Sequence, residues 1–196
     1  MKVKFPKFLI KATGDIKFSK YPLWIQYKPQ LHSVKGPQVR EILATVRGGD
    51  ILLRRFSAYL NTVFCPGFFG HAGLYVGNNQ IVHAVGQGVI QEDILNFCRC
   101  DAICVLNISP QNKFMPYAAM TRETAVKEAL ILADKNVPYD FDFSSDNKTY
   151  YCTELVDRVY NGIFYADYSE IAGNYILTPD GIRNSKEVIM KLEIKP

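Results

Sequence analysis

Two of the chain's three histidines fall in one short stretch, Gly70-His71-Ala72-Gly73-Leu74-Tyr75-Val76-Gly77-Asn78-Asn79-Gln80-Ile81-Val82-His83-Ala84. One of its five cysteines stands in Tyr150-Tyr151-Cys152-Thr153-Glu154-Leu155-Val156. An imidazole that takes a thiol's proton makes the sulfur a strong nucleophile toward carbonyl carbon, and a third polar group that fixes the imidazole's tautomer makes the base effective. Cys152, His71 and His83 are the candidates for those three parts. A single strand histidine is most often an ordinary structural residue. Two flanking one hairpin, with a helix-borne cysteine elsewhere, point to catalysis.

The hairpin follows from residue types. Residues 71–76 and 80–84 are rich in Val, Ile and Tyr, and Gly77-Asn78-Asn79 between them is a strong turn signal. Alternation puts His71, Gly73 and Tyr75 on one face and Ala72, Leu74 and Val76 on the other, while Ile81 and His83 share a face of the second strand. Both histidines then lie near the hairpin's open end. Whether they share a face depends on register, which alternation leaves open.

The cysteine belongs to a helix. Leu155, Val156, Val159 and Tyr160 recur at helical spacing until Asn161-Gly162 stops the pattern. Thr149 or Asn147 is the expected N-cap, which places Cys152 in the first turn or so. Unpaired amides and the helix dipole there favour a thiolate and later an oxyanion, so thiol reagents should label Cys152 first, even at mildly acidic pH. Cys98, Cys100 and Cys104 read as buried packing residues.

The order His-x5-Gly-x5-His, then Tyr-Cys-Thr-Glu-Leu-Val far downstream, resembles the circularly permuted branch of the NlpC-type papain-like hydrolases. YiiX-like bacterial proteins are nearest in pattern, and lecithin:retinol acyltransferase-like enzymes share the His, His, Cys order. Gly49-Asp50-Ile51-Leu52-Leu53, Pro138-Tyr139-Asp140-Phe141 and Leu177-Thr178-Pro179-Asp180 extend the likeness over residues 46–193. In ordinary papain-like enzymes the cysteine comes first; here it follows the histidine. The resemblance implies an α+β, permuted papain-like fold, with a small, mainly antiparallel sheet packed against the helix that carries Cys152. It also implies Cys152 as nucleophile, His71 as general base and His83 as the residue that orients His71. YiiX-like proteins commonly carry a carboxylate at that third position, so His83 follows the acyltransferase-like branch. Glu92, Asp93 and Glu154 stay open as carboxylates for the role.

Tyr75, on the His71 face, and Tyr151, beside the nucleophile, are the candidates for oxyanion or substrate contact. The implied activity is that of an amidase or peptidase forming a thioester acyl-enzyme on an amide bond, in a small peptide (of cell-wall type, for example) or an acyl amide. It requires no metal or organic cofactor. His83 and the aromatic residues among 64–69 keep a lipid-directed thiol acyltransferase or phospholipase open as a second reading. A catalytically silent binding module of the same fold is the third.

Composition agrees. A chain of 196 residues with 48% hydrophobic and 21% charged residues suits one α/β domain with a real core. The net charge of +4 is mild, and no basic run with interleaved aromatics suggests nucleic acid. Cys98-Arg99-Cys100-Asp101-Ala102-Ile103-Cys104 invites a zinc reading but lacks the histidine or second cysteine pair that completes a tetrahedral site. Lys11 interrupts the apolar start before a signal sequence can form, no stretch approaches a membrane span, and an odd cysteine count fits reduced thiols in a cytoplasm. Oligomeric state has no signal.

The scaffold divides into an irregular arm over residues 1–45 and a hydrolase domain over 46–196. Helices are expected at 38–46, 56–64, 120–136 and 178–185, with a helical turn at 92–97. Further strands are expected at 50–54, 88–91, 102–108 and 188–194. Thr121 should cap the helix at 120–136, whose stripe of Val126, Ala129, Leu130 and Ala133 reads as core.

Overall fold

Alternating and near-continuous apolar runs in the middle of the chain close into one antiparallel sheet. The computed structural model describes residues 17–18, 25–26, 32–57, 67–109, 118–144, 148–171 and 173–196. Strands β1 (Lys17–Phe18) and β2 (Ile25–Gln26) make a short pair of their own. Next come β3 (Ile51–Arg55), β4 (His71–Gly77), β5 (Gln80–Val85), β6 (Gly88–Asp93) and β7 (Ala102–Ile108). The pair β8 (Ser169–Ile171) and β9 (Asn174–Ile176) precedes the last strand, β10 (Val188–Ile194). The main sheet has the order β10-β7-β3-β4-β5-β6, with every neighbouring pair antiparallel.

Helices cover both faces. They are α1 (Gly36–Thr45), α2 (Ile94–Phe97), α3 (Ala118–Asp134), α4 (Cys152–Val159) and α5 (Pro179–Asn184). One core joins Ile51, Leu53, Ala72, Leu74, Val82 and Ala84 to Ala125 and Ala129 of α3 and to Leu155, Val156 and Val159 of α4. Burying those three α4 side chains contributes about 1.5–3 kcal/mol each. The opposite face packs Leu52, Tyr75, Ile81, Ile103 and Val105 against Ile42 of α1 and Ile94 and Phe97 of α2. The α3 stripe packs as expected, with Val126, Leu130 and Ala133 against the first core.

The β4–β5 turn has two left-handed residues, Asn78 (φ 50°) and Asn79 (φ 59°), the backbone that a two-residue hairpin turn requires and asparagine tolerates. Two expectations need correction, and a third lies mostly outside the described residues. α3 starts at Ala118, so Thr121 lies within the helix and does not cap it. α4 starts at Cys152 itself, with extended Tyr151 (φ −85°, ψ 172°) as N-cap in place of Thr149 or Asn147. The helix expected at 56–64 falls mostly on residues 58–64, outside the described residues, and Phe56 and Ser57 before them are not helical.

Candidate active site

Cys152 is the first residue of α4, and its neighbours hold it there. The Tyr151 hydroxyl accepts the Leu177 N–H at 3.1 Å, and the Thr153 hydroxyl donates to the Leu177 carbonyl at 2.6 Å. Glu154 accepts the Tyr151 backbone N–H at 3.4 Å, completing the start of the helix. Three residues on from Leu177, Asp180 accepts the N–H groups of Phe68 and Phe69, on the approach to His71. Gly67 (φ 130°) allows this grip, since a Cβ there would lie 2.1 Å from the Asp180 carboxylate. Residues 177–180 therefore fasten the cysteine helix and the entry to β4 to one another.

The two histidines do share a face. His71 Nε2 and His83 Nδ1 are 2.8 Å apart, and His83 is only 1% exposed. His83 Nε2 continues to Glu92 Oε2 at 3.2 Å, and Arg54 Nη1 lies 3.7 Å from the same oxygen. Phe97 closes over the pair, its ring centroid 5.9 Å from His71 and 5.5 Å from His83. Gly73 makes room, because a Cβ there would meet Ile81 at 2.8 Å and Phe97 at 3.0 Å. The Arg54 guanidinium stacks 4.2 Å above the Phe97 centroid.

The cysteine approaches from the other side of the sheet. α4 packs on the face of β4 that carries Ala72 and Leu74, whereas His71 and His83 belong to the opposite face. The Cys152 sulfur lies against the backbone N–H of Ala72, on the peptide group that links Ala72 to His71. The hydrogen-bonded register of β4 and β5 ends at Leu74–Val82, short of His71. Cys152 and His71 thus both lie at the Ala72–His71 peptide, at the open end of the hairpin. No direct hydrogen bond joins the two side chains, and hydrogen bonds between a thiol and its base often tighten only as substrate binds.

Electrostatics correct one expectation. Burial pushes the Cys152 thiol up, and the amides of Ala72, Thr153 and Cys152 with the nearby Arg54 charge oppose that only in part. At 8% exposure, desolvation outweighs the helix start, so the resting sulfur is a protonated thiol and not the thiolate expected at mildly acidic pH. Burial, then the Arg54 charge and His83, holds His71 well below the ordinary histidine range. His71 is therefore a neutral imidazole at neutral pH. Cys98, Cys100 and Cys104 are pushed up to about 12 by burial, as suits packing residues.

Both candidate tyrosines have their hydroxyls engaged by backbone N–H groups. The Tyr75 hydroxyl accepts the Asn79 N–H at 3.2 Å, at the turn end of the hairpin, about 13 Å along the strand from His71. Tyr151 is next to Cys152, but its hydroxyl is engaged by Leu177. Asp93 caps α2, accepting the Leu95 N–H at 2.7 Å, and Glu154 serves the start of α4. Of the three carboxylates considered, Glu92 alone reaches the histidines. No sequence motif points to Arg54; its place opposite His71 in the β3–β4 register brings it to the site. Phe69, in the aromatic segment at 64–69, is a core residue with no exposure.

A family model described as permuted papain-like amidase enzyme, YaeF/YiiX, C92 family, matches residues 45–190. The chain belongs to that family. As a C92-family member it is a cysteine hydrolase of the amidase and peptidase kind, on a permuted papain-like fold. The fold is similar to that of the YiiX metalloprotein of Escherichia coli O157:H7, at a TM-score of 0.60 and 16% identity, over 78% of this chain and 99% of that one. A search of the curated proteins finds no match. Among the described residues no three His, Cys, Asp or Glu side chains are grouped to hold a metal ion. His71, His83 and Glu92 stand in line, each facing the next instead of a common centre, and so do not fit one. Among the described residues no helix is long and apolar enough to cross a membrane.

Proposed function

We propose that this C92-family chain hydrolyses an amide bond through a thioester acyl-enzyme, with Cys152 as nucleophile, His71 as base and His83 as its orienting partner. The 2.8 Å His71–His83 contact at the hairpin end against which Cys152 abuts carries the reading. His83 occupies His71 Nε2, which leaves Nδ1 to act on the thiol. Because the thiol is protonated at rest, proton transfer accompanies attack: Cys152 Sγ bonds to the carbonyl carbon while His71 takes the Sγ proton. The N–H at the start of α4 supports the oxyanion. The C–N bond then breaks, and His71 delivers the proton to the departing amine. Water, deprotonated by His71, hydrolyses the thioester to a carboxylic acid and restores the thiol.

The substrate class proposed is a small peptide or acyl amide. Electrophilic probes bearing amino-acid, peptide and fatty-acyl heads, read by mass spectrometry, test it. Faster modification of Cys152 by peptide or amino-acid heads, with turnover of the matching amides, is the expected result. Faster modification by fatty-acyl heads with transfer to an acceptor alcohol would overturn it in favour of a lipid-directed acyltransferase.

A further inference from the structure

Arg54, His71, His83 and Glu92 sit on β3, β4, β5 and β6, four neighbouring strands of the sheet, and on one face of it. We propose that Glu92 is a positioning residue that acts through His83 to fix the tautomers of both imidazoles, leaving Nδ1 as the basic nitrogen of His71. The proposal rests on the assignment of Cys152 and His71 above and deepens it. Its logic is the directionality of hydrogen bonds along the line.

An ionised carboxylate can only accept. His83 Nε2 and Glu92 Oε2 are 3.2 Å apart, both are shielded from solvent, and neither has a better-formed hydrogen bond elsewhere. Their angle is poorer than ideal, yet buried polar atoms need partners, and each is the nearest available to the other. The His83 proton therefore resides on Nε2, and His83 Nδ1 is bare. A bare nitrogen can only accept, so across the 2.8 Å contact His71 Nε2 must donate. His71 Nδ1 is left without a proton, ready to take one from Cys152.

Two features keep the line in this state. The Glu92 carboxyl lies below its usual range, chiefly through its contact with His83 and further through the Arg54 charge, against the effect of burial. Arg54 is fixed by stacking on Phe97 at 4.2 Å and Phe56 at 5.0 Å. Phe97, seated over Gly73, blocks rotation of either imidazole. When the Sγ–H bond breaks and Nδ1–H forms, the imidazolium charge on His71 is stabilised through His83 by the Glu92 anion. No second proton needs to move.

The test is ¹⁵N NMR of histidine-labelled protein at neutral pH, combined with kinetics, for wild type, Glu92→Gln and Glu92→Leu. Glutamine keeps an acceptor oxygen and leucine does not. Wild type and Glu92→Gln should show His71 and His83 protonated on Nε2 alone. Glu92→Leu should lose that preference at His83, and its kcat should fall roughly 10- to 100-fold at unchanged KM, with Glu92→Gln retaining most of the rate. A proton on Nδ1 of either histidine in wild type would overturn the proposal. So would a Glu92→Leu variant with wild-type tautomers and kcat. The underlying mechanism fails separately: if His71→Ala still acylates Cys152 normally while the wild-type tautomers stand, the base assignment is wrong and Glu92's control of the tautomers survives.

Discussion

Among the described residues, the Asp50 cluster and the Arg54–His71–His83–Glu92 line are built to opposite rules. Asp50 is fully buried and accepts from the Arg47 N–H at 2.8 Å, Arg122 at 2.8 Å and Lys191 at 2.6 Å. Arg122 also donates to the Gly48 carbonyl at 3.0 Å. That cluster joins the start of β3 to α3 and β10, and Asp50 has a partner for each oxygen. The Arg54–His71–His83–Glu92 line is under-satisfied: Arg54 Nε, His83 Nε2 and Glu92 Oε2 are all buried without a good hydrogen bond. A saturated cluster can only fasten. An under-satisfied one retains capacity to gain and lose protons and to tighten when charge appears, which a hydrolase needs and a strut does not.

Substitutions separate the two rules. The largest effect is expected at the proposed nucleophile and base: Cys152→Ser and His71→Ala should each lower kcat/KM at least about a thousandfold, with melting temperature little changed. Comparable loss on substituting any other cysteine would break the contrast. Asp50→Ala should do the reverse. It leaves Arg122 and Lys191 without their anion, and because both can reach water the loss should be about 3 kcal/mol by denaturant titration, at the low end for a broken buried pair. Activity per folded molecule should be unchanged.

The pH dependence sharpens the same contrast. As the proposed base His71 must be neutral, and its protonation point lies well below 6.5, so hydrolysis should persist as pH falls through 6.5 and fail only below it. Direct alkylation of Cys152 by iodoacetamide should keep rising beyond pH 9, because the thiol lies above its ordinary value of 9.0. A thiolate plateau at mildly acidic pH would contradict the neutral pair. The smallest effect is at Glu154, whose carboxyl burial and Asp140 push up to about 8. Its folded form holds a proton that the unfolded chain releases near 4.5, so stability falls as pH rises from there to about 8. Glu154→Gln should flatten that slope, an effect below about 1 kcal/mol after solvent screening.

Local signals made much of this readable in the sequence. The Asn-Asn turn and alternating apolar residues define the hairpin, and period-3.6 spacing ending at Asn161-Gly162 defines the cysteine helix. The strands at 102–108 and 188–194 have the expected bounds because continuous apolar and alternating runs mark them. What stayed hidden depends on register and burial. Glu92 reaches His83 because β6 pairs Glu92 with Ile81, one same-face step from His83, and Arg54 arrives because β3 pairs it with His71. A helix start alone suggests a thiolate, and only the packing of α4 against β4 shows that desolvation outweighs it. Tyr75 shares the histidine face, but four residues of strand carry it to the wrong end.

In the proposed mechanism a buried, protonated Cys152 is acylated with His71 as its base. Rapid-quench single-turnover reaction with an activated acyl amide, followed by peptide mass spectrometry, measures this directly. One acyl group, on Cys152, should form before product in wild type and should not form in His71→Ala. Acylation of another residue, or of Cys152 at the wild-type rate without His71, would contradict it.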